Sequence, residues 1–393
     1  MSTRIAIDFS TLDTSSLQNG LFRYVVDLVR GLDLIASHEL QVVLIGSKAE
    51  PVPEVRDILA ASPDRWQYER IVRKSFRGAY WVDHFRYWSI LQRHKVQVLH
   101  APHGFIPALC PCRVVCTIPD LMREMFPEYR DIVESRQHRI ARWLAIHRAT
   151  RIIAISQTTA DDISRRWQVP AERIDVAPLG LSESFSTCAL DPKAPYLEAG
   201  PGVATILSPY NLEPRKNLSS LLEAMAILRR THSARLVLYG RAAWSAEREE
   251  RFASLVRRLD LEDAIDRLGF IDDPALARQY RLCDLFVFPS LYEGFGYPVL
   301  EAMALGACVV ARNASAMAEI LGDAGVLVET KDPDALARAM ESLLGDPQRR
   351  ADLAQRARRR AASFSIERMA DRTVRSYLTA LGRPMPIEAG SYT

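Results

Sequence analysis

Short apolar runs rich in valine, isoleucine and leucine alternate with amphipathic stretches along nearly the whole chain, and this alternation limits the fold more than any other feature. In the first half the runs are RIAIDFS, QVVLIGS, VQVLHAP, RVVCTIPD, RIIAIS and RIDVAPL; in the second they are VATILSPYN, RLVLYGR, DRLGFI, LFVFPS, CVVARN and GVLVE. Apolar runs separated by helical periodicity, such as Gly20 to Leu32, read as the buried strands of a doubly wound α/β sheet. The segment DPKAPYLEAGPG, Asp191 to Gly202, interrupts the pattern with proline and glycine and reads as a linker. At 393 residues the chain exceeds one ordinary core. The expected fold class is therefore α/β, with two doubly wound Rossmann-like domains, 1–190 and 191–365, facing across a cleft. A last helix at 366–382 is expected to pack back on the first domain, and the tail after Gly382 is expected to be disordered.

Composition removes several functions. Hydrophobic residues make up 48% and charged residues 25%, a globular balance. No apolar stretch approaches the roughly 20 residues of a membrane span. MSTRIAIDFS runs straight into a strand pattern without an export signal, so a cytoplasmic protein is expected. Six scattered cysteines make no disulfide framework, and the close pair Cys110 and Cys112 has too few companion ligands for zinc. A net charge of +3 does not support nucleic-acid binding. The arginine cluster QRRADLAQRARRR, Gln348 to Arg360, reads as a solvated helix face, with contact to anionic lipid headgroups as the other reading.

Four features of the second half bear on chemistry. In SPYNLEPRKNL, Arg215 and Lys216 follow a strand end and precede a helix expected to be capped by Asn217. Cations at a helix N-terminus oppose the macrodipole unless an anion is present, and this pair can neutralise a diphosphate without a metal; a plain surface pair is the alternative. In YEGFGYPVLE, the turn Gly294-Phe295-Gly296-Tyr297-Pro298 follows the strand LFVFPS and opens a helix, which suits close approach of backbone to a phosphate. Glu301, one turn inside that helix, can bond two ribose hydroxyls, and Glu293, ahead of the turn, can hold hydroxyls of a sugar beyond the phosphates. Their bland alternatives are a helix-start carboxylate and a turn residue. The strand end RLGFIDD offers the backbone of Gly269, Phe270 and Ile271 to a base edge. The lone Asp-x-Asp spacing, Asp332 to Asp334, reads as a helix cap, so no essential metal ion or other cofactor is expected.

The stretch EGFGYPVLE resembles the two-glutamate signature of retaining glycosyltransferases of family four, which have the GT-B architecture. NLEPRKNL, LGFIDDPALARQYRLCDLFVFPSLYEGFGYPVLEAMALG and GDAGVLVETKDPDALARAM are similar to that family along most of the second domain, and NGLFRYVVDLV, LHAPHG and TIPDL match more loosely in the first. The resemblance implies that Arg215 and Lys216 contact a donor diphosphate, Glu293 the donor sugar, Glu301 the ribose, and Gly269 to Ile271 the base. It also implies that the loop with Asn19 and Gly20 borders the diphosphate and acceptor. The reaction implied is transfer of a hexose with retention, by front-face attack, the leaving diphosphate helping to deprotonate the acceptor.

One departure stands out. Relatives commonly read T-I-H-D-L where this chain has Thr117-Ile118-Pro119-Asp120-Leu121, so a histidine that touches the donor sugar is missing. His100 and His103 are the nearest substitutes, each also readable as structural, and Asp120 remains as an acceptor-side carboxylate. SFRGAYWVDHFRYWSILQRH, Ser75 to His94, carries Trp81, Phe85, Trp88 and Leu91 at helical spacing and reads as core packing, or else as a platform for a glycan or lipid-linked acceptor. The expected partners are thus a nucleotide-diphosphate sugar, GDP-mannose ahead of UDP-glucose, and a glycan or lipid-linked acceptor in surface polysaccharide synthesis, with peripheral contact at the inner membrane surface. A nucleotide-sugar epimerase of similar build and a non-catalytic sugar-nucleotide-binding scaffold are the alternatives.

Overall fold

The computed structural model describes residues 2–10, 20–35, 40–72, 79–104, 106–126, 143–182, 185, 200–240 and 245–383. Asn19, most of the linker stretch from Asp191 and the tail beyond Arg383 lie outside the described residues. Two units are present, 1–180 with 365–393 and 181–364.

The first unit is built on a parallel sheet of seven strands: β1 (Thr3–Asp8), β2 (Leu40–Gly46), β3 (Trp66–Arg70), β4 (Val98–Ala101), β5 (Arg113–Ile118), β6 (Arg151–Ala154) and β7 (Ile174–Val176), in the spatial order 3-2-1-4-5-6-7. The second has six: β8 (Ala204–Pro209), β9 (Ala234–Tyr239), β10 (Ile265–Gly269), β11 (Leu285–Phe288), β12 (Val309–Arg312) and β13 (Val326–Val328), in the order 10-9-8-11-12-13. Each order reverses beside the unit's first strand, between β1 and β4 and between β8 and β11. Such reversals leave a crevice at the strands' carboxyl ends. Central strands such as Ile5 to Ile7 and Leu285 to Val287 are fully buried because helices cover both faces.

The last helix, Ile366–Ala380, belongs to the first unit, where it packs on the helix Gly20–Leu34 and on β5 to β7. Gly31 permits the close approach, since a Cβ there would lie 2.4 Å from the Ile366 carbonyl oxygen. Tyr377, fully buried, bonds His100 at 2.7 Å, and Ser376 donates to Asp175 at 2.7 Å.

Two helices depart from expectation. The arginines of the helix Pro347–Ala361 do not simply face water: Arg360 donates to the carbonyls of Ile320 and Glu319, Arg358 to that of Leu305, and Arg350 to those of Leu343 and Leu344. Three helix C-termini carry unpaired carbonyls and a negative dipole end, and these guanidinium groups satisfy both. In the helix Ala79–Arg93, Tyr87 and Leu91 face the core, whereas Phe85 is 60% exposed and packs on Trp88 at 5.4 Å between ring centres. Of the stripe read from the sequence, Leu91 thus joins the core, whereas Phe85 and Trp88 lie off the core face.

Candidate active site

Arg215, Lys216 and Glu293 meet where β8 and β11 lie side by side. After β8 the chain makes one tight turn, Pro214–Lys216, and Asn217 then takes the left-handed conformation at φ 56° before the helix Leu218–Leu228. Asn217 does not cap that helix. Its amide instead donates to the carbonyls of Thr330 at 2.8 Å and Pro289 at 3.3 Å, tying the β8 loop to the β11 and β13 loops. The Leu291 amide donates to the Arg215 carbonyl at 2.6 Å and adds a direct stitch between the β8 and β11 loops.

On this frame the Glu293 Oε1 atom accepts from Lys216 Nζ at 2.5 Å, Ser290 Oγ at 2.6 Å and Arg215 Nη1 at 3.1 Å. Arg215 also pairs with Glu213 at 2.7 Å, and Lys216 Nζ stands 5.4 Å from the centre of the Phe288 ring. Burial pushes the Glu293 pKa up, but Lys216, then Arg215, then the hydrogen bonds of Lys216 and Ser290 outweigh it and hold the carboxyl below its ordinary value. Two cations converging on one buried carboxylate oxygen can exchange that partner for a stronger polyanion.

The helix Tyr297–Leu305 starts from Gly296 at φ 117°, with Pro298 in its first turn. A side chain at Gly296 would meet both this backbone strain and Met317, 2.2 Å from the Cβ position. Phe295 is buried against Tyr297 and Phe364, at 5.8 and 6.1 Å, so its ring packs the turn and only its backbone can border a ligand. Glu301 is 4% exposed and accepts from the Tyr280 hydroxyl at 3.1 Å. At the sheet edge, β10 ends on Gly269 at φ 66°, whose carbonyl accepts from the Gly240 amide at 2.7 Å, and Phe270 beyond it is 67% exposed.

In the first unit, Gly20 opens the helix Gly20–Leu34 and is exposed. Asp120 is exposed and accepts from the Met122 amide at 3.0 Å, fixing the turn before a short helix. His103 Nε2 lies 3.5 Å from Asp8 Oδ2 at the reversal between β1 and β4. Asp8 also accepts from Ser10 Oγ at 2.7 Å and Tyr87 at 2.8 Å. Burial raises its pKa, but His103 and Ser10 outweigh that and hold the carboxyl low. Ser290, Ser315 (whose Oγ accepts from the Glu293 amide at 3.3 Å) and Asp8 were not legible as site residues; their one signal is a polar residue at or just beyond a strand end.

His100 is a core residue. It is fully buried between Thr117 Oγ1 at 2.8 Å and Tyr377, and burial, with His103 nearby, pushes its pKa down to about 3. Below pH about 6.5 an unfolded chain protonates this imidazole while the folded chain refuses the proton, so stability is expected to fall with pH by about 1.4 kcal/mol per unit toward pH about 3. Urea unfolding at pH 7, 6 and 5 checks this: His100→Gln should flatten the slope, and equal slopes would contradict the assignment.

Two family models match the chain, Glycosyltransferase Family 4 over residues 18–185 and Glycosyl transferases group 1 over residues 197–360. O-antigen chain mannosyltransferase B of Escherichia coli is 28% identical over 385 residues, 94% of this chain and 99% of that protein. D-inositol 3-phosphate glycosyltransferase of Pseudarthrobacter chlorophenolicus is 28% identical over 355 residues, 87% of this chain and 80% of that one. Among solved structures, a glycosyltransferase from Rickettsia africae superposes with a TM-score of 0.72 at 16% identity, covering 97% of this chain and 99% of that one.

Proposed function

We propose that this chain, which belongs to glycosyltransferase family 4 (the group 1 glycosyl transferases) and has the GT-B fold, moves a hexose from a nucleotide-diphosphate sugar to a glycan or lipid-linked acceptor, with retention and without a metal ion. Mannose from GDP-mannose is favoured, glucose from UDP-glucose next, and surface polysaccharide is the destination. The support is the near full-length likeness to the Escherichia coli O-antigen mannosyltransferase. A lipid-linked acceptor would bring the enzyme to the inner membrane surface as a peripheral protein. No helix among the described residues is long and apolar enough to cross a membrane.

The observation that carries this reading is the Glu293 carboxylate shared by Lys216 and Arg215 beside the glycine turn. When donor binds, the two cations exchange Glu293 for diphosphate oxygens, and the carboxylate turns to the hydroxyls of the sugar. Glu301 takes the ribose hydroxyls, the backbone of Gly294 to Tyr297 borders the phosphates, and Gly269, Phe270 and Ile271 receive the base. Asn19 and Gly20 border the diphosphate and acceptor. As the bond from the anomeric carbon to the diphosphate oxygen breaks, negative charge grows on that oxygen, where the two cations stabilise it. The acceptor oxygen bonds the same face of the sugar, and its proton passes to the departing diphosphate.

His103, held beside Asp8, and Asp120 serve the acceptor side in place of the histidine that Pro119 replaces. His103→Ala or Asp120→Ala is expected to lower transfer about 10- to 100-fold, as for loss of one hydrogen bond to a charged group, with nucleotide affinity nearly unchanged. Parallel transfer assays and calorimetry check this; equal losses of both would count against an acceptor-side role. The function itself is tested by offering GDP-mannose, UDP-glucose and related donors in EDTA and reading the anomeric configuration of the product by NMR. Transfer with the donor's configuration is expected. An inverted product overturns retention, a requirement for added metal overturns metal independence, and isomerised donor without transfer overturns the transferase reading.

A further inference from the structure

Three buried side chains on three elements of the second unit form a hydrogen-bond chain with a fixed direction. Tyr239 ends β9, Tyr280 lies in the helix Asp273–Leu282, and Glu301 lies in the helix Tyr297–Leu305. The Tyr280 hydroxyl is 3.1 Å from Glu301 Oε2 and 2.7 Å from the Tyr239 hydroxyl. An ionised carboxylate only accepts, so Tyr280 donates to Glu301 and takes its own hydrogen bond from Tyr239. The Tyr280 ring is held edge-on by Phe286 at 5.2 Å, Tyr239 at 5.9 Å and Phe185 at 6.4 Å. Burial first, then the neighbouring phenol and the Glu301 charge, raise the Tyr280 pKa well above the ordinary value; burial and the Glu301 charge do the same to Tyr239. Both hydroxyls keep their protons at working pH.

We infer that Tyr280, oriented by Tyr239, is a positioning residue that fixes the Glu301 carboxylate through Oε2 and thereby sets the enzyme's preference for ribonucleotides over deoxyribonucleotides; this rests on the reading of Glu301 as the ribose acceptor. A glutamate has three side-chain torsions, and a bidentate grip on two vicinal hydroxyls is tighter when they are held before ligand arrives, because less ordering is left to binding. The tyrosine pair supplies that restraint from β9, the strand next to the one that ends at the base-side Gly269.

The test is calorimetry on the full chain with GDP and 2′,3′-dideoxy-GDP, repeated with UDP and its dideoxy analogue. The wild type is expected to favour the ribonucleotide by about tenfold or more, as for a hydrogen bond to a charged group. Tyr280→Phe should lower that ratio below about threefold, Tyr239→Phe should lower it part of the way, and Glu301→Ala should abolish it. A packing role would weaken both nucleotides equally and leave the ratio untouched. If Glu301→Ala abolishes the ratio while Tyr280→Phe, or Tyr239→Phe should the former fail to fold, keeps the wild-type value, the inference is overturned. If Glu301→Ala keeps the ratio, or the wild type shows none, the ribose reading of Glu301 itself is wrong.

Discussion

Lys216→Ala is expected to lower kcat by about 10²- to 10³-fold, the loss that follows removal of one preorganised donor to a developing anion. Lys216 carries little of the fold. Its ammonium reaches Glu293 at 2.5 Å, its side chain is 20% exposed, and after its removal Glu293 keeps Arg215 and Ser290 as partners. The fold should therefore survive, with a melting temperature close to wild type. Because the leaving diphosphate carries more charge on the reacting oxygen in the transition state than in the bound donor, the loss should fall mainly on kcat and less on KM. Lys216→Arg should recover only part of it, since a planar fork differs from a compact charge. Steady-state kinetics with a fixed acceptor decide the matter: a kcat within a factor of about three of wild type would remove Lys216 from leaving-group stabilisation.

Glu293→Gln should separate binding from turnover. Glu293 competes in the unliganded protein for the two cations proposed to hold the diphosphate. Without that charge, a nucleoside diphosphate should bind at least as tightly as to wild type, while kcat falls by about 10²-fold or more because the sugar loses its carboxylate partner. The unliganded variant should lose about 2 kcal/mol of stability, below the usual cost of breaking a fully buried pair because Glu293 keeps 13% exposure. Nucleoside diphosphate should then raise its melting temperature more than it raises that of wild type. The pH dependence has a definite sign. The folded-state pKa of Glu293 is depressed, so its stabilisation is present above the ordinary value of 4.5 and is lost as pH falls through the folded-state value. The stability gap between wild type and variant should close in that acid range. A Glu293→Gln variant that binds nucleoside diphosphate much more weakly would contradict the competition.

Much of this fold is written in its apolar runs, because a parallel strand buried on both faces leaves no polar positions to blur it. β3 is the exception. WQYER sits at the sheet edge with only Trp66 fully buried, so nothing in it demands a strand apart from its pairing with β2. The residues proposed for the donor side stand out in the sequence because glycine, proline and charge at a strand end are expensive unless a ligand uses them. The pairing among Arg215, Lys216 and Glu293 was not, since it depends on two loops that are 77 residues apart and meet only through sheet order. Asn217 misled for a related reason: its position suits a cap, but the left-handed backbone turns its side chain toward the loops of β11 and β13. His100 and the arginines of Pro347–Ala361 likewise owe their roles to partners remote in sequence, Tyr377 in one case and helix ends in the other.

The claim beneath all of this is that Arg215 and Lys216 grip a nucleoside diphosphate without metal. Isothermal titration of GDP and UDP in EDTA, on wild type and on the Arg215→Ala/Lys216→Ala double variant, tests it most directly. The expected result is binding to wild type and a loss of about a hundredfold or more in the double variant, as for two charge-assisted contacts removed together. Affinity in the double variant within about a factor of two of wild type would contradict it.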